Sequence, residues 1–549
     1  MAESPRIVDG LGLEELKSLL VQALEEIARQ RTELADLRED HARLKAENVE
    51  LRDENARLKG LKGRPKIKPS GMEKATDPAS QQAKGQRGKR RRGSKRTKVT
   101  ITETKVIKAE NVPAGARFKG YEEFLVQDLI VQPLTVLYQR ERWQLPDGTS
   151  VVAPLPAGIT THFGPELKRF VLAQYLGSEL PRDHQGQTTI PRLLALLQGL
   201  GVDISKRQLV RLLIKSQDAF LGEARDVLRS GLAAASWITV DDTGARHKAK
   251  NGVCTHIGND TFAAFITTGS KSRLNFLELL NAGDTTHLIN DAALTYMREH
   301  NLSGKVVALL AGHATTRFAD RAAWTVHLEV LGITALEVHP DPVRIATEGA
   351  LWGSIAAQGL LDDTVIVSDG AGQFVVGHHA NCWVHAERLV HKLDAFTEDR
   401  RVAKETIRDR IWQLYAALKA YARAPTPEAK AELATRFDTI FTTETGFVTL
   451  DRLLKRHHAK KADLLMVLDR PDVPLHTNGS ENDIRSHVTR RKVSGGTRSD
   501  LGRDCRDAFL SLMKTCAKQS IRFWDYLGCR LGVPGAASVP LLPALIRPP

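Results

Sequence analysis

Two apolar registers repeat along the first sixty residues. One carries Leu13, Leu20, Ile27, Leu34, His41, Asn48 and Asn55; the other carries Leu16, Ala23, Gln30, Leu37, Leu44, Leu51 and Leu58. A period of 3.5 with charged residues between predicts a coiled coil over residues 1–60. Asparagine in one register favours a parallel, in-register dimer, since each Asn can bond its counterpart across the seam. A solitary amphipathic helix packed on its own protein is the competing reading, in which Asn48 and Asn55 would make poor core residues. The periodicity then stops. Residues 61–98 hold Gly, Pro, Ser, Gln and basic side chains with almost nothing to bury, which predicts a disordered linker.

From Val99 the pattern changes again. Val99 to Thr102 and Val126 to Tyr138 are rich in β-branched residues and predict short strands in a small β-rich region over 99–164. Residues 165–230 read as helices: an apolar Ile190–Leu197, a Gly199-Leu200-Gly201-Val202 break, then Ser205 as N-cap of a second helix. This helix–turn–helix pattern would offer Lys206, Arg207, Gln208 and Arg211 to DNA, although any helical hairpin can produce it. Over 231–380, apolar runs alternate with helical stretches: Trp237–Val240, Phe262–Ile266, Phe276–Leu280, Ala308–Leu310 and Val365–Val367. Read as a strand series, they predict a mixed sheet flanked by helices. Residues 381–475 are helical, with Trp412, Leu414, Leu418 and Tyr421 on helical repeats. Residues 476–549 predict helices that complete the core, the first starting at Ser480 after an Asn478-Gly479 turn.

A chain of 549 residues is too long for one core, so several domains are expected. No apolar run approaches 20 residues and the N-terminus lacks a charged-then-apolar signal pattern. A protein outside the membrane is therefore expected. Five scattered cysteines suit a reducing cytoplasm. The net charge of +14 points to a polyanionic partner, and its distribution sharpens that reading. Between Lys62 and Lys98, fourteen Lys or Arg face only Glu73 and Asp77. That net of +12 leaves the rest of the chain nearly neutral, so the basic arm is a discrete device. Gly63-Arg64-Pro65 looks like an AT-hook core that lays Arg64 in the minor groove. Lys89, Arg90, Arg91 and Arg92 would neutralise backbone phosphates. A solvated charge run is the plainer alternative, disfavoured by its density and single sign.

Three acids stand where catalysis could use them. Asp241 ends one apolar run, Asp369 ends another, and Glu481 lies at the mouth of the helix after Asn478-Gly479-Ser480. Carboxylates at the ends of buried strands can converge, and three of them can hold two divalent ions for in-line attack on a phosphate. All-oxygen ligands suit Mg2+ or Mn2+. Asp241 is the bridging candidate, Glu481 completes the second ion's shell, and the adjacent Asp242 is the substitute for Asp241, since only one of two neighbouring strand residues should line a site. Arg485, Arg490, Arg491 and Lys492 follow Glu481 at roughly helical intervals and would bind phosphate. Cys382 and His385 form half a zinc site; a buried Cys beside a hydrogen-bonded His is the plainer reading, with His378, His379 and His391 near enough to leave metal binding open. Trp383 reads as a core residue or a base-stacking one. No Gly-x-Ser-x-Gly elbow and no phosphate-binding loop occurs, which argues against a serine hydrolase and against ATP use.

Several of these segments together resemble the transposases of the insertion sequence 66 family. They are Asp241-Asp242-Thr243, Cys382 to Arg388, Asn478 to Arg485, Arg490 to Thr497, and Cys516 to Leu527. The resemblance implies a ribonuclease H-like α/β core with an α-helical insertion, behind the coiled coil and a small DNA-binding region. It implies a DDE-type enzyme that cuts and joins DNA strands at element ends, with Asp241, Asp369 and Glu481 as catalytic residues. Its implied partners are DNA, a second copy and accessory proteins of the same element. Two departures stand out. Asp242 replaces the family's usual Glu, and the cysteine zinc module ordinarily ahead of the catalytic domain is missing, the first cysteine being Cys254. The competing functions are an architectural DNA-binding protein with an inactive core and a metal-dependent nuclease without strand transfer.

Overall fold

The computed structural model describes residues 101–108, 115–156, 161–177 and 188–546, together with Glu26, Ile27, Gln30, Met72 and Ile159. The expected coiled coil, save three helical positions, and the basic arm with Arg64 and Lys89 to Arg92 lie outside the described residues. The chain divides into two units, Met1–Gly71 and Met72–Pro549. The sheet and the helices packed on it belong to the second.

The strands expected at the start of that unit are not formed. Ile101-Thr102 and Val126 to Tyr138 have no ladder partner, and Leu129, Ile130 and Leu134 are exposed. β-Branched composition favours a strand only where a neighbour completes the ladder and a face is buried. Among the described residues of this region the pairing is a short antiparallel hairpin, β1 (Arg142–Gln144) with β2 (Ser150–Val152).

Four helices follow: α1 (Pro165–Leu176), α2 (Ile190–Gly199), α3 (Lys206–Ile214) and α4 (Asp218–Ala234). Ser205 caps α3 as its sequence predicts. Its hydroxyl accepts from the Gln208 N–H at 3.3 Å while the Gln208 side chain accepts from the Ser205 N–H at 2.8 Å, a reciprocal capping box. Leu209, Leu212 and Leu213 are buried; Lys206, Arg207, Gln208 and Arg211 are exposed on the other side.

The central sheet comes next. β3 (Trp237–His247), β4 (Lys250–Gly258) and β5 (Ala263–Thr268) form an antiparallel meander. β3 also pairs in parallel with a strand near residue 366, so chain order across the sheet reverses at β3. Helix α4 covers one face, and its Gly231 meets the Phe262 ring so closely that no Cβ would fit. The meander leads through α5 (Arg273–Leu280) into a subdomain of β6 (His287–Leu288), α6 (Asp291–Glu299), α7 (Gly304–Ala311), β7 (Arg317–Phe318), α8 (Arg321–Val330) and α9 (Pro342–Ala357). Met297, Leu310, Trp324 and Ile345 give it a core of its own. Phe276–Leu280 and Ala308–Leu310, expected as strands, therefore lie in helices α5 and α7. Short apolar runs do not distinguish a strand from a buried helical turn.

β8 (Val365–Ser368) and β9 (His378–Asn381) complete a five-stranded sheet in the order β5-β4-β3-β8-β9, parallel from β3 onward. All four residues of β8 are buried, as expected of a parallel strand covered on both faces. This mixed sheet among many helices is compatible with a ribonuclease H-like core. The chain then leaves the sheet for α10 (Trp383–His391), α11 (Glu398–Arg423), α12 (Pro427–Phe441), α13 (Val448–His458) and α14 (Lys461–Leu464), packed around Tyr415, Phe437 and Phe441. It returns as α15 (Asn478–Ser494) and α16 (Asp500–Lys518), with α17 (Phe523–Arg530) and α18 (Leu542–Ile546) closing the described chain. Helix α15 starts two residues ahead of the expected Ser480. Ile484, Leu510 and Met513 cover the second face of β4 and β5. No helix among the described residues is long and apolar enough to cross a membrane.

Candidate active site

The β3–β8 register brings two acids together. The last pair of that parallel ladder is Thr239 with Val367. Asp241 and Asp369 each lie two residues beyond it, Asp241 inside β3 where the ladder with β8 has stopped and Asp369 just past the end of β8. The third acid arrives by a separate route. Ser480, fully buried, has its hydroxyl 2.6 Å from Thr239 Oγ1 and 2.9 Å from His256 Nδ1. These bonds fasten the first turn of α15 to β3 and β4, and Glu481 is the next residue.

The electrostatics record the convergence. Burial pushes the Asp241 carboxyl up to about 6, and the negative charges of Asp369 and Glu481 push the same way. The Asp242 N–H, donating to Asp241 Oδ1 at 2.8 Å, and His385 oppose them without prevailing. Glu481 Oε1 is buried and accepts no hydrogen bond among the described residues. His385 Nε2 at 3.6 Å and Arg388 Nη2 at 3.7 Å lie beside it. An aspartate raised mainly by burial, with two neighbouring acids adding to it, and a Glu481 oxygen that accepts no hydrogen bond among the described residues mark a carboxylate pocket that suits a cation.

Asp242 faces elsewhere. Lys271 Nζ donates to it at 2.5 Å and Gln373 Nε2 at 3.1 Å, so its carboxylate is already compensated. Asp241 is thus the one of the pair left to the three-acid cluster.

The loop after β8 is held by a buried chain of bonds. Ser368 Oγ accepts from the Gly370 N–H at 3.0 Å and lies 2.7 Å from His379 Nε2. His379 Nδ1 is 3.1 Å from Asp463 Oδ2, which also accepts from Asn381 Nδ2 at 3.0 Å. The Ala371 N–H donates to Asp369 Oδ1 at 2.9 Å. At Gly370, φ is +81° and a Cβ would collide with the Asn381 side chain, so this tight turn requires glycine. The sequence marks His379 only as a metal neighbour, Ser480 only as a helix start and Arg388 only as the end of a family-like segment, and gives no sign of Asp463, Lys271 or Gln373. Their partners lie far away in sequence, and no local pattern marks them.

Cys382 and His385 adjoin the acids. The Cys382 N–H donates to Ser368 O at 2.8 Å, which places α10 at the end of β8. Burial would raise the Cys382 thiol, but His385 beside it outweighs burial and lowers it. Burial and Arg388 would lower His385, but Cys382 and Glu481 outweigh them and raise it. Trp383 is a core residue, its indole donating to Leu464 O at 2.7 Å and its ring packed near Phe437 and Phe441; a base cannot reach it.

The expected phosphate-binding cations differ in exposure. Lys206, Arg207, Arg211, Arg485 and Lys492 are not buried. Arg490 departs from expectation: it is buried against Tyr175, donates to Tyr175 O at 2.5 Å, and ties α15 to α1. Burial pulls its guanidinium down to about 10. Arg491 is bonded to Gly244 O, on β3.

Comparison with known proteins adds a family to this geometry. The sequence profile described as "Transposase IS66 family" matches residues 356–504, a span that contains Asp369, Cys382, His385 and Glu481. The uncharacterized protein y4jO of Sinorhizobium fredii (strain NBRC 101917 / NGR234) is 49% identical over 315 residues, covering 57% of this chain and 98% of that protein. The chain belongs to the IS66 family of transposases.

Proposed function

We propose that this transposase cuts and rejoins DNA strands at the ends of an insertion sequence, using Asp241, Asp369 and Glu481 as its catalytic carboxylates on a ribonuclease H-like core. The observation that carries the reading is the proximity of those three acids beyond the β3–β8 ladder, where burial first and the other two acids after it raise Asp241 to about 6 and Glu481 Oε1 accepts no hydrogen bond among the described residues. The donor set is all carboxylate oxygen, which fits hard divalent cations. Asp241, which feels both of the others, would hold the ions together with Asp369 and Glu481. Two Mg2+ or Mn2+ ions, when bound, would supply activation of the attacking oxygen and charge neutralisation at the leaving one.

The remaining residues orient and balance the site. The Ser368–His379–Asp463 chain fixes the turn behind Asp369, so that carboxylate is presented without side-chain search. Arg388 and His385 flank Glu481 and limit the repulsion it would exert on a DNA phosphate. Lys206, Arg207, Arg211, Arg485 and Lys492, with Arg64 and Lys89 to Arg92 of the basic arm, would bind the DNA backbone. The N-terminal heptads would join two copies, so that two element ends are held at once.

The test is cleavage of a labelled element end by the full chain in Mg2+ or Mn2+, beside Asp369→Asn. Metal-dependent nicking by wild type and its loss in the variant support the proposal. Equal nicking by both would remove Asp369 from the site, and binding without nicking by wild type would favour an architectural role.

A further inference from the structure

A second cluster of ligating side chains lies on the other side of α15. Cys254 comes from β4, His487 from α15 and Asp507 from α16, and they are 0%, 1% and 5% exposed. One sulfur, one ring nitrogen and one carboxylate oxygen all lie within 4.8 Å of one another. In a tetrahedral zinc site with bonds of about 2.0–2.3 Å, such atoms stand roughly 3.5 Å apart, so side-chain adjustment alone would close the site.

His487 is the feature that ordinary packing does not explain. A neutral imidazole carries one N–H donor and one acceptor nitrogen. Neither has a hydrogen-bond partner among the described residues. Buried polar atoms are nearly always paired. Burial holds the ring neutral, down to about 3, with Arg506, Arg491 and Arg490 acting in the same direction, and neutral imidazole is the form that ligates metal.

The other two ligands have room. Asp507 accepts from the Thr267 N–H at 2.7 Å through Oδ2 and from Arg506 Nε at 3.1 Å through Oδ1. Arg506 Nη2 also lies 3.1 Å from Oδ1, so the guanidinium takes up that oxygen and Oδ2 keeps the open acceptor position. Burial pushes the Cys254 thiol well above its ordinary range, so without metal it stays protonated and inert. The nearby guanidiniums stand against a bare cation. A divalent ion with one thiolate and one carboxylate is neutral overall, and gives them no net charge to repel.

We propose that Cys254, His487 and Asp507 bind one Zn2+, distinct from any ions at the three acids. Sulfur and imidazole nitrogen select a borderline metal such as zinc, whereas the all-oxygen cluster selects Mg2+. On binding, the Cys254 S–H bond breaks, an S–Zn bond forms and the proton passes to solvent. The ion pins α15 to β4 and α16 six residues beyond Glu481, and so braces the helix that carries the third acid. The metal-binding claim itself does not depend on the catalytic proposal.

The experiment uses the full chain, purified without chelator and analysed for metal. The chain is then stripped and reloaded with Co2+, whose bond to a thiolate gives a near-ultraviolet charge-transfer band that carboxylates cannot produce. Wild type should hold about one zinc per chain and show the band. Cys254→Ser should abolish the band, and His487→Gln should release the zinc while circular dichroism stays native. Cys382→Ser and Asp369→Asn should retain both signals. Folded wild type without zinc or band overturns the proposal, as does a band that survives Cys254→Ser or disappears in Cys382→Ser. Loss of cleavage with zinc intact, or the reverse, separates this site from the catalytic one.

Discussion

Removing the Asp241 charge should stabilise the metal-free protein while abolishing its chemistry. Burial and the neighbouring acids raise Asp241 from 3.8 to about 6. An acid with a raised folded pKa holds its proton better in the folded state. Stability is therefore greatest below pH 4 and is lost as pH climbs through 6. A shift of about two units corresponds to at most ~3 kcal/mol at pH 7, and for a unit of this size ~1 °C in Tm per kcal/mol. Asp241→Asn keeps the shape and the bond from the Asp242 N–H but carries no charge. In EDTA at pH 7 the variant should melt about 3 °C above wild type, and the gap should close at pH 4. Saturating Mg2+ should raise wild type and leave the variant unmoved. A variant less stable than wild type at both pH values would refute the reasoning, because the carboxylate would then be compensated in the fold.

Three further outcomes rest on the same geometry. Glu481→Gln keeps volume and loses one charge, so DNA binding in a mobility-shift assay should persist while strand cleavage falls on the order of 10³-fold; full activity would assign the third ligand elsewhere. Asp463→Asn loosens His379 and the turn behind Asp369, so the Mg2+ concentration for half-maximal cleavage should rise about tenfold with DNA affinity unchanged; an unchanged Mg2+ dependence would make that chain of bonds merely structural. Deleting residues 60–98, whose span 62–98 carries a net +12, should weaken binding to all DNA sequences and flatten its salt dependence by about 0.9 per lost phosphate contact, read by titration across salt concentrations.

The parts of this molecule that announce themselves in sequence are those decided locally. Ser205 with Gln208 three residues on is a capping box by composition alone, and α3 starts there. An apolar β-branched run ending in Asp places Asp369 just past the end of β8, whereas Asp241, expected at a strand end, lies inside β3, which runs on to His247 in its ladder with β4. The long helical excursion before Glu481 follows from 112 positions between two residues of one site. What sequence leaves open depends on distant partners. Asp241 and Asp242 are equivalent until Lys271 and Gln373, 29 and 131 positions away, take up Asp242. Glu481 is only one acid at a helix start until Ser480 is fastened to Thr239, 241 positions away. Arg490 reads as a surface cation until Tyr175 covers it, 315 positions away. The strands misread at Val126 to Tyr138 and Ala308–Leu310 share one cause: β-branched or apolar residues become a strand only if a neighbouring strand is there to accept them.

The central claim is that Asp241, Asp369 and Glu481 hold metal for DNA chemistry. It is tested most directly by a crystal of the full chain bound to a cleavable element end in Mn2+, with data collected at the manganese absorption edge. The account predicts two anomalous peaks roughly 4 Å apart, both within bonding distance of Asp241, one beside Asp369 and the other beside Glu481. Bound DNA with no anomalous density among these three carboxylates, or manganese held by other residues at the scissile phosphate, would contradict it.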